Sequence, residues 1–511
     1  MARTAKTVSA QTLPKVVEKE KKQTKARTAN KLPKITVKEK KKIIFLGSEA
    51  APFIATGGLA DVLGSLPKAL AKNKALDISV ILPMYSNISD EWRKKFKFVT
   101  NFNVSLSWRW QYAGVFEYKY QGVKFYFIDN EYYFKREGNI YGFYDDAERF
   151  AFFSKAALDT IARLDIYPDV LHCNDWQTAS SIIYLKGMYY GDEKFCKIKT
   201  FFTIHNIEYQ GKFGMDTYGS LFGFPNSILD FVEYNGCVNL MKGAIEMSDI
   251  VTTVSPTYAQ EIKHAFFAHG LEDVIKRNEH KLAGILNGID LDYYNPETDK
   301  CLFANYSVND LSGKAVCKAE MQKLLGLPER KDVPVIAIIS RLVGHKGLDL
   351  VRHVLETLLT EEVQVVILGK GEIAYENYFT HVANSYKGKC AAIIAYNQDL
   401  SRKIYSGADL FLMPSKSEPC GLSQMIASRY GTVPIVRETG GLNDSIKAYT
   451  GVKGNGFTFA DYNAHDMLYV ISEAIRAYRD KSVWADVQHR AMTADFSWKL
   501  QAKEYEKLYQ K

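Results

Sequence analysis

At 511 residues, with 47% hydrophobic, 13% aromatic and 24% charged residues, the chain has a globular composition, with length for about three ordinary domains or two large α/β ones. The formal charge of +8 is local: residues 1–40 carry 12 Lys and Arg against 3 Glu, leaving 54 basic and 55 acidic residues, a net of −1, for 41–511. That neutral body argues against a nucleic-acid partner, although the basic tail could touch nucleic acid or an acidic surface weakly, and the lack of any apolar run near 20 residues excludes a membrane helix.

In chain order, residues 1–40 read as a disordered basic tail: rich in Lys, Thr and Ala, with two Leu-Pro pairs and no aromatic residue, they cannot bury enough apolar surface to order themselves. The tail has neither the apolar stretch of a signal peptide nor the Arg/Ser bias of a transit peptide. Short apolar runs then alternate with amphipathic stretches, which predicts parallel sheets covered by helices. Lys42–Leu46, followed by Gly57-Gly58 and a helix through Leu70, begins the series. Ile78–Leu82, Val123–Ile128, Val170–His172 and Thr200–Ile204 continue it. Asn-Gly and Asn-Pro pairs between Asn287 and Asp299 mark a boundary, after which Val335–Ile339, Val365–Leu368, Ala391–Ala395, Leu410–Met413 and Val433–Val436 repeat the pattern. The expected fold is α/β, with two doubly wound Rossmann-like domains facing a cleft: 41–290, then 291–480, then a C-terminal helix over 481–511. The seven cysteines are scattered and form no C-x-x-C pair, which points to a reducing, cytoplasmic setting and against structural zinc.

The chemistry-bearing residues sit where such sheets bind ligands, at the carboxyl ends of strands. Thr56–Asp61 and Thr439–Asp444 share five of six residues, and each follows a strand and opens a helix whose free N–H groups suit an anion. Two unrelated tight turns would read the same way. Arg341 and Lys346 follow the Val335–Ile339 strand and are placed to converge on a diphosphate, or to be an ordinary surface pair. Glu418 lies on a tight turn before a helix, able to accept from sugar hydroxyls or simply to cap. Asp175 and His205 end two successive strands, as site residues or as satisfied structural groups. Gly369-Lys370-Gly371 lacks the downstream acid of a dinucleotide site; Asp290 and Asp292 lack a third ligand, so a structural role is preferred to a metal.

Taken together these segments resemble the bacterial glycogen synthase and plant starch synthase family, of GT-B architecture. The resemblance runs from about Lys41 to Trp498. It rests on Gly57–Val62, Arg149-Phe150, His172–Gln177, Ile204–Asn206, Thr253–Tyr258, Asn287–Asp290, Arg341–Lys346, Glu418–Gly421 and Phe496–Trp498, in family order. It implies a cytoplasmic glycosyltransferase that moves glucose, with retention and without metal or other cofactor, from ADP-glucose to the non-reducing end of an α-1,4-glucan. It further implies that Arg341 and Lys346 neutralise the leaving diphosphate, that Glu418 holds the glucose hydroxyls, and that His205 and Asp175 line the sugar pocket. Gly57, Gly58, Cys420, Gly421, Leu422, Gly440 and Gly441 are expected on the donor side. Tyr141, on a Gly138–Asp145 loop expected to be exposed, and Asn206 are expected on the acceptor side, while core packing is expected to account for most other aromatics. Neither a membrane nor a nucleic acid is an expected partner, and the oligomeric state is left open.

One position departs from the family motif: Ala55 stands where Lys is usual, two residues before Gly57. That keeps open a catalytically weak glucan-binding or regulatory homologue, and a UDP-glucose-dependent transferase. A pyridoxal-phosphate phosphorylase on a similar scaffold would need a Schiff-base Lys for which no position stands out.

Overall fold

The computed structural model describes residues 39–510; the expected disordered tail lies, but for its last two residues, outside them. Two parallel sheets organise the chain. Strands β1 (Lys41–Leu46), β2 (Leu76–Pro83), β3 (Lys97–Leu106), β4 (Arg109–Tyr120), β5 (Val123–Asp129), β6 (Val170–Asn174) and β7 (Lys199–Ile204) belong to the first. A small antiparallel sheet of β8 (Lys212–Gly214), β9 (Glu233–Tyr234) and β10 (Cys237–Asn239) is inserted before β11 (Ile250–Thr253) and β12 (Leu282–Gly284) complete it. The order is β12-β11-β7-β6-β1-β2-β5-β4-β3. All pairings are parallel except those of β4 with β3 and β5.

The second sheet contains β13 (Val335–Ile339), β14 (Gln364–Gly369), β15 (Cys390–Ile394), β16 (Leu410–Met413), β17 (Val433–Arg437) and β18 (Phe457–Phe459), in the all-parallel order β15-β14-β13-β16-β17-β18. That is the 3-2-1-4-5-6 order of the doubly wound fold, and the first sheet follows it from β5 through β12 with the β3–β4 hairpin added at one edge. Strand order reverses at β1/β6 and at β13/β16, which is where such sheets open a crevice for ligands.

The strands are continuous apolar runs because both faces are covered: Ile43–Leu46, Val80–Leu82, Val335–Ile338 and Val365–Leu368 are all buried. One core spans the first sheet and the near face of the second; another lies between the far face and the helices Leu348–Leu358 and Ala464–Arg479. Pro67 sits inside the helix Gly58–Ala71 without ending it.

Two segments cross between the sheets side by side. Ile289 N–H donates to the Phe496 carbonyl at 2.8 Å, and a Cβ on Gly288 would stand 2.8 Å from Trp498 N. The return to the first sheet is made by the helix Trp498–Gln510, later than the expected start at 481, because Lys481–Thr493 packs against the second sheet. Tyr509 in that returning helix hydrogen-bonds the His172 ring at 2.7 Å, and its carbonyl accepts from Lys41 Nζ. The Phe496–Trp498 motif is thus a crossing device.

Candidate active site

The two reversal points face one another, and the strand ends there carry the residues singled out from sequence. On the first sheet, β1 runs into Ser48 and Glu49. The Glu49 carboxylate is buried and accepts from Thr56 N–H at 2.5 Å and Thr56 O–H at 2.8 Å, so it braces the loop that opens the Gly58–Ala71 helix. Burial holds its carboxyl above the usual range despite these bonds. Gly57 and Gly58 are exposed with no side-chain cap; the Gly57 N–H turns back to the Glu49 carboxylate, which leaves the Gly58 N–H at the helix N-terminus. The Leu422 side chain of the opposite domain lies 3.8 Å from where a Gly58 Cβ would be. Asp61, one turn into that helix, is pushed up to about 7 by burial and by the charges of Glu49 and Asp290.

Strands β6 and β7 end at Asp175 and His205. Asp175 has φ of 55°, a conformation that costs a non-glycine residue about 1–3 kcal/mol. Its carboxylate accepts from His205 N–H at 2.7 Å and from Asn206 N–H, so it ties the two strand ends together. Burial raises it to about 7, and burial depresses His205 to about 3, so the imidazole is neutral. The tautomer follows from the neighbours. Asn174 Nδ2 donates to the Leu46 and His172 carbonyls, so its Oδ1 faces His205 Nε2 at 2.9 Å. An amide oxygen only accepts, so the proton is on Nε2 and Nδ1 is left as an acceptor.

On the second sheet, β13 ends at Ser340 and Arg341, and the turn Gly344–Lys346 follows. Arg341 is exposed. The segment is zipped to the Gly369–Gly371 turn: Leu342 N–H donates to the Lys370 carbonyl and Glu372 N–H to that of Leu342. Those glycines therefore support the Arg341 loop. Gly347 has φ of 72°, and a Cβ there would meet the Pro414 carbonyl oxygen at 2.0 Å, so only glycine lets the lysine turn approach the end of β16. Past β16, Glu418 is buried. It accepts from Lys346 Nζ at 2.6 Å and from Ser415 O–H at 3.0 Å. Glu418 is thus an ion-paired acceptor at the cleft and caps no helix; the next one begins at Ser423. His345, beside Lys346 and Arg341, is lowered by burial and by those two cations.

Several residues do other work than expected. Gly440 and Gly441 offer no free N–H: the first donates to Glu261 Oε1 at 3.0 Å, the second to the Glu418 carbonyl at 3.1 Å. Gly440 has φ of 43°, and a Cβ there would meet the Glu418 carbonyl oxygen at 2.0 Å. This second Gly-Gly turn buttresses the Glu418 loop and joins the domains, its two amides both taken up by protein acceptors. The Cys420 thiol is buried against Asn287 and pushed up to about 12, which leaves only its backbone for a donor contact. Gly421, at φ of 69°, shapes the turn that presents Leu422. Asn206 Oδ1 accepts from Glu208 N–H in a local turn. The Tyr141 hydroxyl points inward, 2.7 Å from Ser48 Oγ and bonded to Glu49, so in the Gly138–Asp145 loop it is Tyr144, 93% exposed, that stands free. Asp290 Oδ1 caps the Asp292 and Tyr293 amides. Among the described residues no group of three His, Cys, Asp or Glu side chains is arranged to hold a metal ion.

Sequence reasoning missed Glu49, which has no motif of its own, and the domain latch. Asp444 accepts from Ser255 O–H at 2.6 Å and from Thr257 N–H and O–H at 2.9 and 2.7 Å, while Glu261 accepts from Thr439 O–H at 2.9 Å. The Thr253–Tyr258 motif therefore starts a helix, with Ser255 as its N-cap, and clasps the other domain.

Comparison with known proteins agrees with this arrangement. The family model for the starch synthase catalytic domain matches residues 42–277, and that for glycosyl transferases group 1 matches 325–485. The chain is 47% identical to the glycogen synthase of Geobacillus thermodenitrificans over 473 residues, covering 92% of this chain and 97% of that one. It is 49% identical to the glycogen synthase of Clostridium novyi over 473 residues, covering 91% and 98%. Among solved structures it superposes on the catalytic domain of Starch Synthase IV from Arabidopsis thaliana bound to ADP and acarbose, with a TM-score of 0.85, 34% identity and coverage of 92% and 99%. Sucrose-phosphate synthase from Thermosynechococcus elongatus shares the fold at a TM-score of 0.57 and 15% identity, covering 92% and 98%. The chain belongs to the glycogen synthase and starch synthase family of GT-B glycosyltransferases.

Proposed function

We propose that the chain transfers glucose from ADP-glucose to the non-reducing end of an α-1,4-glucan with retention of configuration. The observation that carries this reading is the Lys346–Glu418 pair at 2.6 Å, set at the strand-order reversal opposite the Gly57-Gly58 turn. As the glucosyl bond breaks, negative charge develops on the diphosphate and positive charge on the sugar. Arg341 and Lys346 take the first, with the Gly58 N–H at the helix N-terminus approaching from the other domain and Glu49 holding Gly57 in place. Glu418 accepts from the glucose hydroxyls while Lys346 holds its carboxylate in place. Fixed groups of this kind are worth about 3 kcal/mol each in the transition state, and we assign the cationic work to these side chains rather than to a metal. His205 Nδ1 serves as an acceptor for a sugar hydroxyl, and Asp175 sets the His205 backbone. Closure at Asp444 keeps water out so that transfer outruns hydrolysis. We place the enzyme in the cytoplasm, where seven unpaired cysteines would stay reduced.

The test is nucleotide release from ADP-glucose with and without glycogen, with the product digested by an α-1,4-specific amylase. Glycogen-dependent ADP release into an amylase-sensitive polymer is expected. Release that does not depend on glycogen, or a product resistant to the amylase, would overturn the reading. Ala55 supports a second donor reading: the loop has lost a side-chain cation, and UDP-glucose in the same assay distinguishes it.

A further inference from the structure

The segment Ser415-Lys416 does more than carry the chain from β16 to Glu418. Ser415 O–H donates to the Glu418 carboxylate at 3.0 Å, and Lys416 N–H donates to the His345 carbonyl at 2.9 Å. The segment therefore touches both the acid and the turn that presents Lys346. Its own carbonyls are held from behind by one side chain. Arg437, at the end of β17, donates from Nη1 to the Lys416 carbonyl at 2.9 Å and at 3.5 Å to that of Ser415. The spacing of Lys346 and Glu418 thus depends on backbone that Arg437 fixes.

The first domain reaches the same place at two points. The Lys416 ammonium lies 5.3 Å from the ring centre of Phe266, which belongs to the first domain. Glu261, also of the first domain, accepts through Oε1 from Thr439 O–H and Gly440 N–H, and Thr439 N–H in turn donates to the Arg437 carbonyl at 2.9 Å. Glu261 and Arg437 are thus neighbours at one turn, and each has an atom to spare. Among the described residues Glu261 Oε2 and Arg437 Nε are both buried without a hydrogen-bond partner. Burial raises the Glu261 carboxyl and lowers the Arg437 guanidinium, and in each case the other's charge opposes the shift. A buried acceptor and a buried donor of opposite charge, orphaned on adjoining residues of two domains, define a charge-assisted contact that a small closing movement completes.

We propose that Arg437 is a positioning residue for Glu418 and Lys346 and that Glu261 is its partner across the domain boundary, so that the seating of the first domain sets the alignment of the pair. On closure Glu261 Oε2 takes the Arg437 Nε–H. The guanidinium, fixed at that end, holds the Lys416 carbonyl at the other, and with it the Ser415 hydroxyl on Glu418 and the Lys416 amide on the Lys346 turn. Arginine suits the task because its planar fork presents donors in two fixed directions, whereas a lysine ammonium is a single point on a flexible stem. The Asp444 clasp joins the domains; the Glu261–Arg437 contact carries their closure to the groups that face the sugar and the diphosphate.

The proposal rests on the transfer reading above, and its test includes a readout that needs no turnover. Hydrogen exchange at the Lys416 amide, whose bond to the His345 carbonyl reports the segment, is compared in the full-length wild type, Glu261→Gln and Arg437→Met. Exchange there should be about fivefold faster or more in both variants, with the helices Leu348–Leu358 and Ala464–Arg479 unchanged. In the glycogen assay Arg437→Met should lower kcat about tenfold or more while both KM values stay within about threefold. Arg437→Lys should recover part of that loss, and Arg437→Met/Glu261→Gln should be no worse than Arg437→Met alone. In a Glu418→Gln background Arg437→Met should cost less than about a further twofold, because the group it positions is gone, whereas a merely structural role would cost the same factor in both backgrounds. Unchanged exchange at Lys416 would overturn the proposal, as would additive losses for Arg437 and Glu261 or an undiminished effect in the Glu418→Gln background. Should Arg437→Met fail to fold, Glu261→Gln, which keeps the side chain's shape and its Oε1 acceptor, carries the same comparisons. A wild type that transfers from no nucleotide-glucose would sink the transfer reading and leave the exchange result to decide this one.

Discussion

Lys346 and Glu418 sit 2.6 Å apart with Ser415 on the same carboxylate oxygen, so each holds the other in position. Replacing Glu418 with Gln is expected to lower kcat about 10²–10³-fold, the usual cost of removing a group aimed at developing charge, with a smaller change in glycogen KM. The pair should be strongly non-additive: Lys346→Ala with Glu418→Ala should cost clearly less than the sum of the single effects, measured as kcat/KM for the donor. Additive losses would mean that the two act independently. His205 shows how neighbours set chemistry one step back. Asn174, fixed by two carbonyls, fixes the tautomer of the histidine, and that rules His205 out as a proton donor at Nδ1.

At the scale of the element, Lys314 is the clearest case of a buried charge retained by geometry. Its ammonium lies in the helix Ser312–Leu324 and donates to the Ser406, Ala408 and Tyr430 carbonyls and to Thr432 Oγ1, at 2.9–3.0 Å, and burial lowers it to about 7. Replacing it with Met would strand the Ser406 carbonyl in a dry site, while the Tyr430 and Ala408 carbonyls would keep the Tyr306 and Thr432 hydroxyls. A loss of about 1–3 kcal/mol in denaturant-derived stability is expected; no change or a gain in stability would contradict it.

The element scale also shows what a sequence can and cannot reveal. Every strand predicted from an apolar run is present, because a strand covered on both faces must be apolar throughout. The β3–β4 hairpin escaped, since residues such as Asn101, Asn103 and Trp110 face solvent and break the run. Ile250–Thr253 and Phe457–Phe459 escaped because threonines interrupt their apolar runs. The site motifs were legible because strand ends place them. Glu49, Glu261 and Asp444 were not, because a carboxylate that braces a loop or latches two domains is defined by partners remote in the fold. The Gly440-Gly441 echo of Gly57-Gly58 misled for the same reason: the local pattern is shared, but one pair of amides is already taken by Glu261 and by the Glu418 carbonyl.

For the molecule as a whole, the returning helix Trp498–Gln510 ties its end to the first sheet through His172, whose ring bonds both Tyr509 and Thr203 and is lowered to about 3 by burial. A histidine depressed in the folded state contributes stability that is fully present above the unfolded value near 6.5 and is lost as pH falls toward 3. The advantage of the wild type over His172→Gln should therefore shrink by about 1.4 kcal/mol per pH unit below 6.5, measured by urea unfolding between pH 7 and 5. The difference isolates His172 from Asp61 and Asp175, whose raised carboxyls shift stability in the opposite direction over that range. The domain latch belongs to this scale too. Asp444→Ala removes three acceptor contacts between domains and is expected to raise glycogen-independent hydrolysis of the donor relative to transfer; an unchanged ratio would mean that closure does not depend on it.

The central claim is that Arg341, Lys346 and Glu418, facing the Gly57-Gly58 turn, suffice for transfer from ADP-glucose although Ala55 supplies no cation. The measurement that tests it most directly is kcat/KM for labelled glucose incorporation into glycogen, from ADP-glucose and from UDP-glucose, for the wild type and for Ala55→Lys. The account predicts incorporation from ADP-glucose by the wild type, with Ala55→Lys raising kcat/KM by no more than about tenfold, the value of one partly screened charge contact. Incorporation only after lysine is restored, or from UDP-glucose alone, would contradict it.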